Sequence, residues 1–224
     1  MAVAIEESLA RAEAALAADE SLAGTGFWPA VSAVKRQPEL VDRYADRIAA
    51  IDTDAHRRRA MLVVPLWLGT TLMILATLAA TALVGWAYTL TGLTAVIVFY
   101  LGFGALLVTT HSLGHLLVGS ILGIGFQYWF LGKPSFPLQG GVKIDYASYL
   151  RARAESRAWM HAAGAIVTKA MPFLLIGAAL AAGLPTWAVV LLPLVGVGVI
   201  VLDAVWSTKM SDWKKYKREM AFTR

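Results

Sequence analysis

Four apolar stretches after residue 60 constrain this chain more than anything else in it. They run from Met61 to Ala87, Leu93 to Leu122, Trp159 to Ala182 and Thr186 to Trp206. A helix rising about 1.5 Å per residue needs ~20 residues to cross a hydrocarbon layer of ~30 Å, and each stretch has at least that many. Lipid cannot satisfy a free backbone amide, and none of the stretches alternates polar with apolar residues as a barrel strand does. All four therefore read as transmembrane helices. The mean hydropathy of +0.62 agrees, lying above that of a soluble domain.

The cations give the expected orientation. Of 20 Lys and Arg, eight precede residue 60, five lie between Lys133 and Arg157, and six follow from Lys209 on. The last, Lys169, is inside the third stretch, and the turns 88–92 and 183–185 carry none. The positive-inside rule then puts both termini and the long connection in the cytoplasm, in a plasma (inner) membrane. The net charge of +5 reports this topology and contact with anionic lipid headgroups, not binding to nucleic acid. The absence of cysteine excludes disulfides, thiolate catalysis and iron–sulfur ligation.

The expected fold is an all-α membrane protein with four transmembrane helices, N-in and C-in. Residues 1–60 form a cytoplasmic amphipathic helical region, since Ile5, Leu9, Ala12 and Leu16 share one stripe, as do Leu40, Tyr44, Ile48 and Ile51. The chain starts acidic and helical, unlike a secretory leader. Residues 61–206 form the transmembrane domain, with spans at 61–87, 93–122, 159–182 and 186–206. Its cytoplasmic loop, 126–157, has two prolines and the Gly140–Gly141 pair, which suit a short strand pair. Residues 207–224 are a basic interfacial tail. Trp206, just before it, and Trp213 serve as anchors, and Lys214, Lys215, Lys217 and Arg218 meet headgroups.

Chemistry concentrates in the second span, at Thr109-Thr110-His111-Ser112-Leu113-Gly114-His115. Two His at i and i+4 project from one helix face and can chelate a single ion. Small residues around them, Gly102, Gly104, Gly114 and Gly119 among them, let another helix approach closely. By the expected topology His111, His115 and Asp203 lie in the cytoplasmic half, and His161 starts the third span from the same side. Two His and Asp203, with His161 as an alternative ligand, make an acceptable zinc site. Two other readings remain open. The His are buried polar groups satisfied by hydrogen bonds, or His111 or His115 faces His161 across a haem. Lys169, deep in the third span, needs a partner, and Asp203 is the one acidic residue inside any apolar stretch. That pairing competes with Asp203 as a metal ligand.

His111-Ser112-Leu113-Gly114-His115 resembles the HExxH zinc helix of the site-2 intramembrane metalloproteases. The order of the later segments is similar too: Gly123, a loop with short extended pieces, a small-residue helix start at His161 to Gly164, and Leu202-Asp203 where that family carries L-D-G. The resemblance implies zinc held by His111, His115 and Asp203. It also exposes a departure, because Ser112 stands where the family has the glutamate that serves as general base. Ala204 replaces the final Gly, and Pro193 lies ten residues ahead of Asp203. Glu155 or Asp145 from the loop are the stand-in bases if the protein is a zinc-dependent membrane hydrolase.

The expectation is thus a site-2 protease-like membrane protein, a pseudoprotease that holds a metal and binds a transmembrane segment or lipid-like ligand, or serves as a scaffold. The competing expectations are an accessory subunit of a large membrane complex, partnered by other membrane subunits, an active metalloenzyme, and a haem-binding membrane subunit.

Overall fold

The computed structural model describes residues 2–133, 136–205 and 211–223, and the backbone alone of residues 133 and 136–139. Four helical segments are long and apolar enough to span a membrane: Leu66–Thr89, Gly92–Ile121, Ala154–Ala181 and Thr186–Val205. They comprise α4 (Leu66–Trp86), α5 (Gly92–Ile121), α7 (Ala154–Leu174) continued by α8 (Ile176–Ala181), and α9 (Thr186–Val205). The first begins five residues later than the hydropathy suggests, because Leu62–Pro65 is a strand, β1. The third begins five residues earlier, at the end of the loop, and passes Pro172 before the chain turns at Leu175.

Apolar side chains of α4, α5, α8 and α9 form the span core around Val84, Phe99, Phe103, Leu106 and Leu192. The helices touch closely where side chains are smallest. A Cβ on Gly102 would lie 2.8 Å from the Ala80 carbonyl, which only glycine permits in the α4–α5 contact. Tyr100 donates to the Ala188 carbonyl at 2.6 Å and ties α5 to α9.

The long connection between α5 and α7 is folded. Phe126–Lys133 (β2) pairs antiparallel with Phe136–Ile144 (β3), and β1 adds to the other edge of β2, giving a sheet ordered β1-β2-β3. The strand pair suggested by the sequence thus gains a third strand from the chain just before α4. Trp129 of β2 lies on the first turns of α4, where its Nε1 donates to Thr70 at 3.0 Å. A Cβ on Gly69 would sit 2.3 Å from the indole, so that glycine admits the ring. A short helix, α6 (Tyr146–Arg151), follows the sheet, with Asp145 capping its N-terminus through Ser148 N at 3.1 Å.

Residues 2–57 fold into α1 (Ala2–Ala17), α2 (Phe27–Val34) and α3 (Pro38–Arg57) around Leu9, Phe27, Tyr44 and Ile48. Leu150 of α6 belongs to the same cluster, so this module packs on the loop. Polar ties add to it. Thr53 donates to Gln127 at 3.1 Å, and Lys143 of β3 forms an ion pair with Asp52. The tail holds α10 (Asp212–Met220), packed against α7. With the two short connections at one end of the bundle, the N-terminal module, the sheet, α6 and α10 all gather at the other.

Asp52 and Lys143 are each only 8% exposed. Asp52→Asn leaves the Lys143 ammonium without its counter-charge, a change that costs about 3–5 kcal/mol for a buried pair. The expected result is faster tryptic cleavage after the Arg57–Arg59 run and a lower melting temperature. Unchanged values for both contradict the docking role of this pair.

Candidate metal centre

His111 and His115 sit on one face of α5, one turn apart, with ring centroids separated by 4.8 Å. Their Nε2 atoms approach to 3.3 Å. A carboxylate oxygen from another element completes the group: Asp212 Oδ2 lies 3.1 Å from His115 Nε2 and 3.3 Å from His111 Nε2. Among the described residues this is the group of three that could hold a metal ion. Two donors about 2.0–2.1 Å from a tetrahedral zinc lie about 3.3 Å apart, which matches this triangle.

The hydrogen bonds behind the imidazoles decide which atoms face the centre. His115 Nδ1 is 2.7 Å from the Met160 carbonyl, an acceptor, so Nδ1 carries the hydrogen. His111 Nδ1 is 2.9 Å from Thr168 Oγ1, whose own hydrogen goes to the Gly164 carbonyl at 3.0 Å. The hydroxyl therefore accepts from His111, and that ring too is hydrogenated at Nδ1. Both Nε2 atoms then present lone pairs, toward each other and toward a carboxylate oxygen. That holds for neutral rings; a proton added to His115 Nε2 would face Asp212 at 3.1 Å and His111 at 3.3 Å, and a metal ion held by all three atoms is the other way to satisfy them. The backing of each imidazole by a carbonyl or hydroxyl is the arrangement found behind histidines that bind metals.

Asp212 is held from its far side as well. Lys215 donates to Oδ1 at 2.9 Å and leaves Oδ2 for the histidines. Burial pushes the Asp212 carboxyl up, but a hydrogen bond and charge from His115, in the form protonated at both nitrogens, and those of Lys215 outweigh it and hold the carboxyl below its ordinary range. It is a carboxylate at neutral pH.

α7 supplies the wall behind His115. A Cβ on Gly164 would fall 2.3 Å from His115 Nε2, so the imidazole occupies the space of a missing side chain.

Asp203 occupies a different place from the one expected of a third ligand. Its Oδ2 takes the Lys169 ammonium and its Oδ1 accepts from Ser211 at 2.6 Å, so the carboxylate is occupied away from the imidazoles. His161 is 8% exposed and meets Tyr149 at 2.9 Å through Nε2. Burial keeps the Tyr149 hydroxyl well above its ordinary pKa, so it stays protonated, and its contact with His161 engages that nitrogen. Glu155 pairs with Arg153 at 3.6 Å and Asp145 caps α6, and neither borders the cavities beside the His pair.

The tail also differs from a purely interfacial one. Trp213 stacks on Tyr216 at 5.0 Å and lies beneath the Lys169 ammonium, 5.2 Å from its ring, and Lys215 points to Asp212. Lys214, Lys217 and Arg218 stay exposed, and Trp206 lies outside the described residues.

Two cavities meet at the triad. The larger, about 850 Å³, is walled by apolar side chains including Leu107, Val108, Trp129, Phe130 and Leu202. Its polar end holds His111, Ser112, Asp212 and the Lys169–Asp203 pair. Val108 and Leu202 are 67% and 52% exposed, so this cavity opens on the apolar flank of the spans. The smaller, about 320 Å³, lies on the loop side and reaches His115, His161 and Lys215.

No protein-family model matches the chain, and no curated protein or solved structure is similar enough to count as a relative.

Gly164→Ala is expected to drive the His115 ring from its seat and weaken metal binding at least ~10-fold, the scale of a disturbed outer shell. Chelator competition measures it, and an affinity equal to wild type contradicts this seating of the ring.

Proposed function

We propose that this chain is an integral membrane protein that holds one divalent metal ion through His111, His115 and Asp212. The observation that carries the reading is the convergence of three lone pairs, each backed by its own hydrogen bond, on a single point. Two imidazoles and one carboxylate suit zinc, and the same set is used for iron(II). A bound ion would supply a Lewis-acidic centre at the polar end of the 850 Å³ cavity.

The cavity's apolar wall and open flank support a ligand drawn from the bilayer, a lipid-like molecule or a transmembrane segment. The bundle then serves binding or scaffolding rather than hydrolysis. Among the described residues, the carboxylates bordering the two cavities are Asp203, paired with Lys169, and Asp212, a metal ligand in this reading. Neither is free to serve as a general base, and Ser112 beside His111 cannot take up a proton near neutral pH. The reading keeps the resemblance to site-2 proteases in its His-x-x-x-His span and departs from it in activity. The distribution of Lys and Arg supports an N-in, C-in orientation in the inner membrane, with the triad near the cytoplasmic face.

Elemental analysis of the purified protein tests the ligand set. Wild type and Asp203→Ala are expected to carry about one metal per chain, and His111→Ala, His115→Ala and Asp212→Ala to lose most of it. Retention by all three of the latter removes the site. Loss in Asp203→Ala with retention in Asp212→Ala would move the third ligand to Asp203.

A further inference from the structure

The third ligand arrives on a short helix with little to hold it in place by itself. α10 has nine residues, below the length at which an isolated helix is stable, so its position depends on tertiary contacts. Asp212 opens it and Glu219 lies two turns later, on the same face by helical periodicity. Asp212 reaches the imidazoles of α5. Glu219 reaches a second buried charge cluster, at the opposite end of α10.

That cluster joins three parts of the chain. Glu219 is fully buried, its Oε2 accepts from Arg157 Nε of α7 at 2.7 Å, and its Oε1 accepts from Lys35 Nζ at 2.7 Å. Arg157 is fixed in turn by donating to the Ala152 carbonyl at 2.6 Å. Lys35 caps the C-terminus of α2 in the N-terminal module, and its ammonium lies 4.8 Å from the Tyr149 ring and 5.5 Å from that of Phe222. Burial pushes the Glu219 carboxyl up, but the Lys35 and Arg157 charges outweigh it and hold it below its ordinary range. Between the two ends the Tyr216 ring contacts Trp159 of α7 at 5.5 Å. An ionic cluster so enclosed is directional.

We propose that Glu219, clamped by Arg157 and Lys35, is the positioning residue for Asp212, and that through Lys35 the N-terminal module regulates the metal affinity of the His111–His115–Asp212 site. This rests on the metal-site reading above. Coupling of this kind is reciprocal: an ion that holds Asp212 also holds α10 on α7 and the N-terminal module against both. A partner that draws the N-terminal helices away would lower metal affinity without touching a ligand.

The test uses the full-length protein in detergent, titrated with Co²⁺ in competition with a chelator and followed by the visible bands of tetrahedral cobalt. Glu219→Gln and Lys35→Met are each expected to weaken Co²⁺ binding by about 2–30-fold, the scale of coupling carried through packed elements that touch no ligand. Each is also compared in an Asp212→Ala background, at Co²⁺ concentrations raised until the two remaining imidazoles are occupied. If Glu219 acts through Asp212, its substitution has no further effect there, whereas general loosening of the fold weakens binding in both backgrounds. Wild-type affinity in both single variants overturns the proposal, and so does an equal loss with and without Asp212. Lys35→Met gives the answer if Glu219→Gln does not fold. A wild-type protein that binds no Co²⁺ removes the site itself, a different result from a site that binds normally and ignores Glu219.

Discussion

Two imidazole nitrogens and a carboxylate oxygen that face one another need a proton or a metal ion between them, and the arrangement around His111, His115 and Asp212 depends on that constraint. The Met160 carbonyl and the Thr168 hydroxyl fix the two tautomers from behind. Gly164 makes room for one ring, and Lys215 orients the carboxylate. Each supporting group belongs to α7 or α10. Close packing of α5 on α7, and the return of α10 onto α7, are therefore what bring the triad together. Desolvating this many polar groups in an apolar bundle is costly unless each finds a partner, and every ring nitrogen and carboxylate oxygen of the triad has one or faces the shared centre.

The spans were legible because lipid leaves the backbone little choice. Apolar runs of sufficient length appear as helices, and their limits moved by five residues at two ends only where local pairing intervened. Leu62–Pro65 is apolar enough to pass for the start of a span, but it pairs with β2, and hydropathy does not see strand partners distant in sequence. The His pair was legible from its spacing alone. Lys169 and Asp203 meet, as an ammonium and a carboxylate inside apolar helices must seek each other.

Asp212 was not legible, and the reason is physical. In the sequence it is one acid at the start of a basic, aromatic segment, which describes an interfacial helix equally well. Its role depends on α10 lying back along α7, set by the Trp159–Tyr216 contact and the Glu219 cluster. The available signal was periodicity: Asp212, Tyr216 and Glu219 recur at four- and three-residue steps and mark a face turned inward. Asp203 is engaged by Lys169 and Ser211, and the carboxylate that meets the imidazoles comes from nine residues further on.

The central claim is that a metal ion joins α5 to α10 through two imidazoles and one carboxylate. X-ray absorption fine structure on the metal-loaded protein tests it most directly. The account predicts two imidazole nitrogens and a carboxylate oxygen in the first shell at about 2.0–2.2 Å, with the oxygen contribution altered in Asp212→Ala. A first shell without imidazole scattering, or one that Asp212→Ala leaves unchanged, contradicts it.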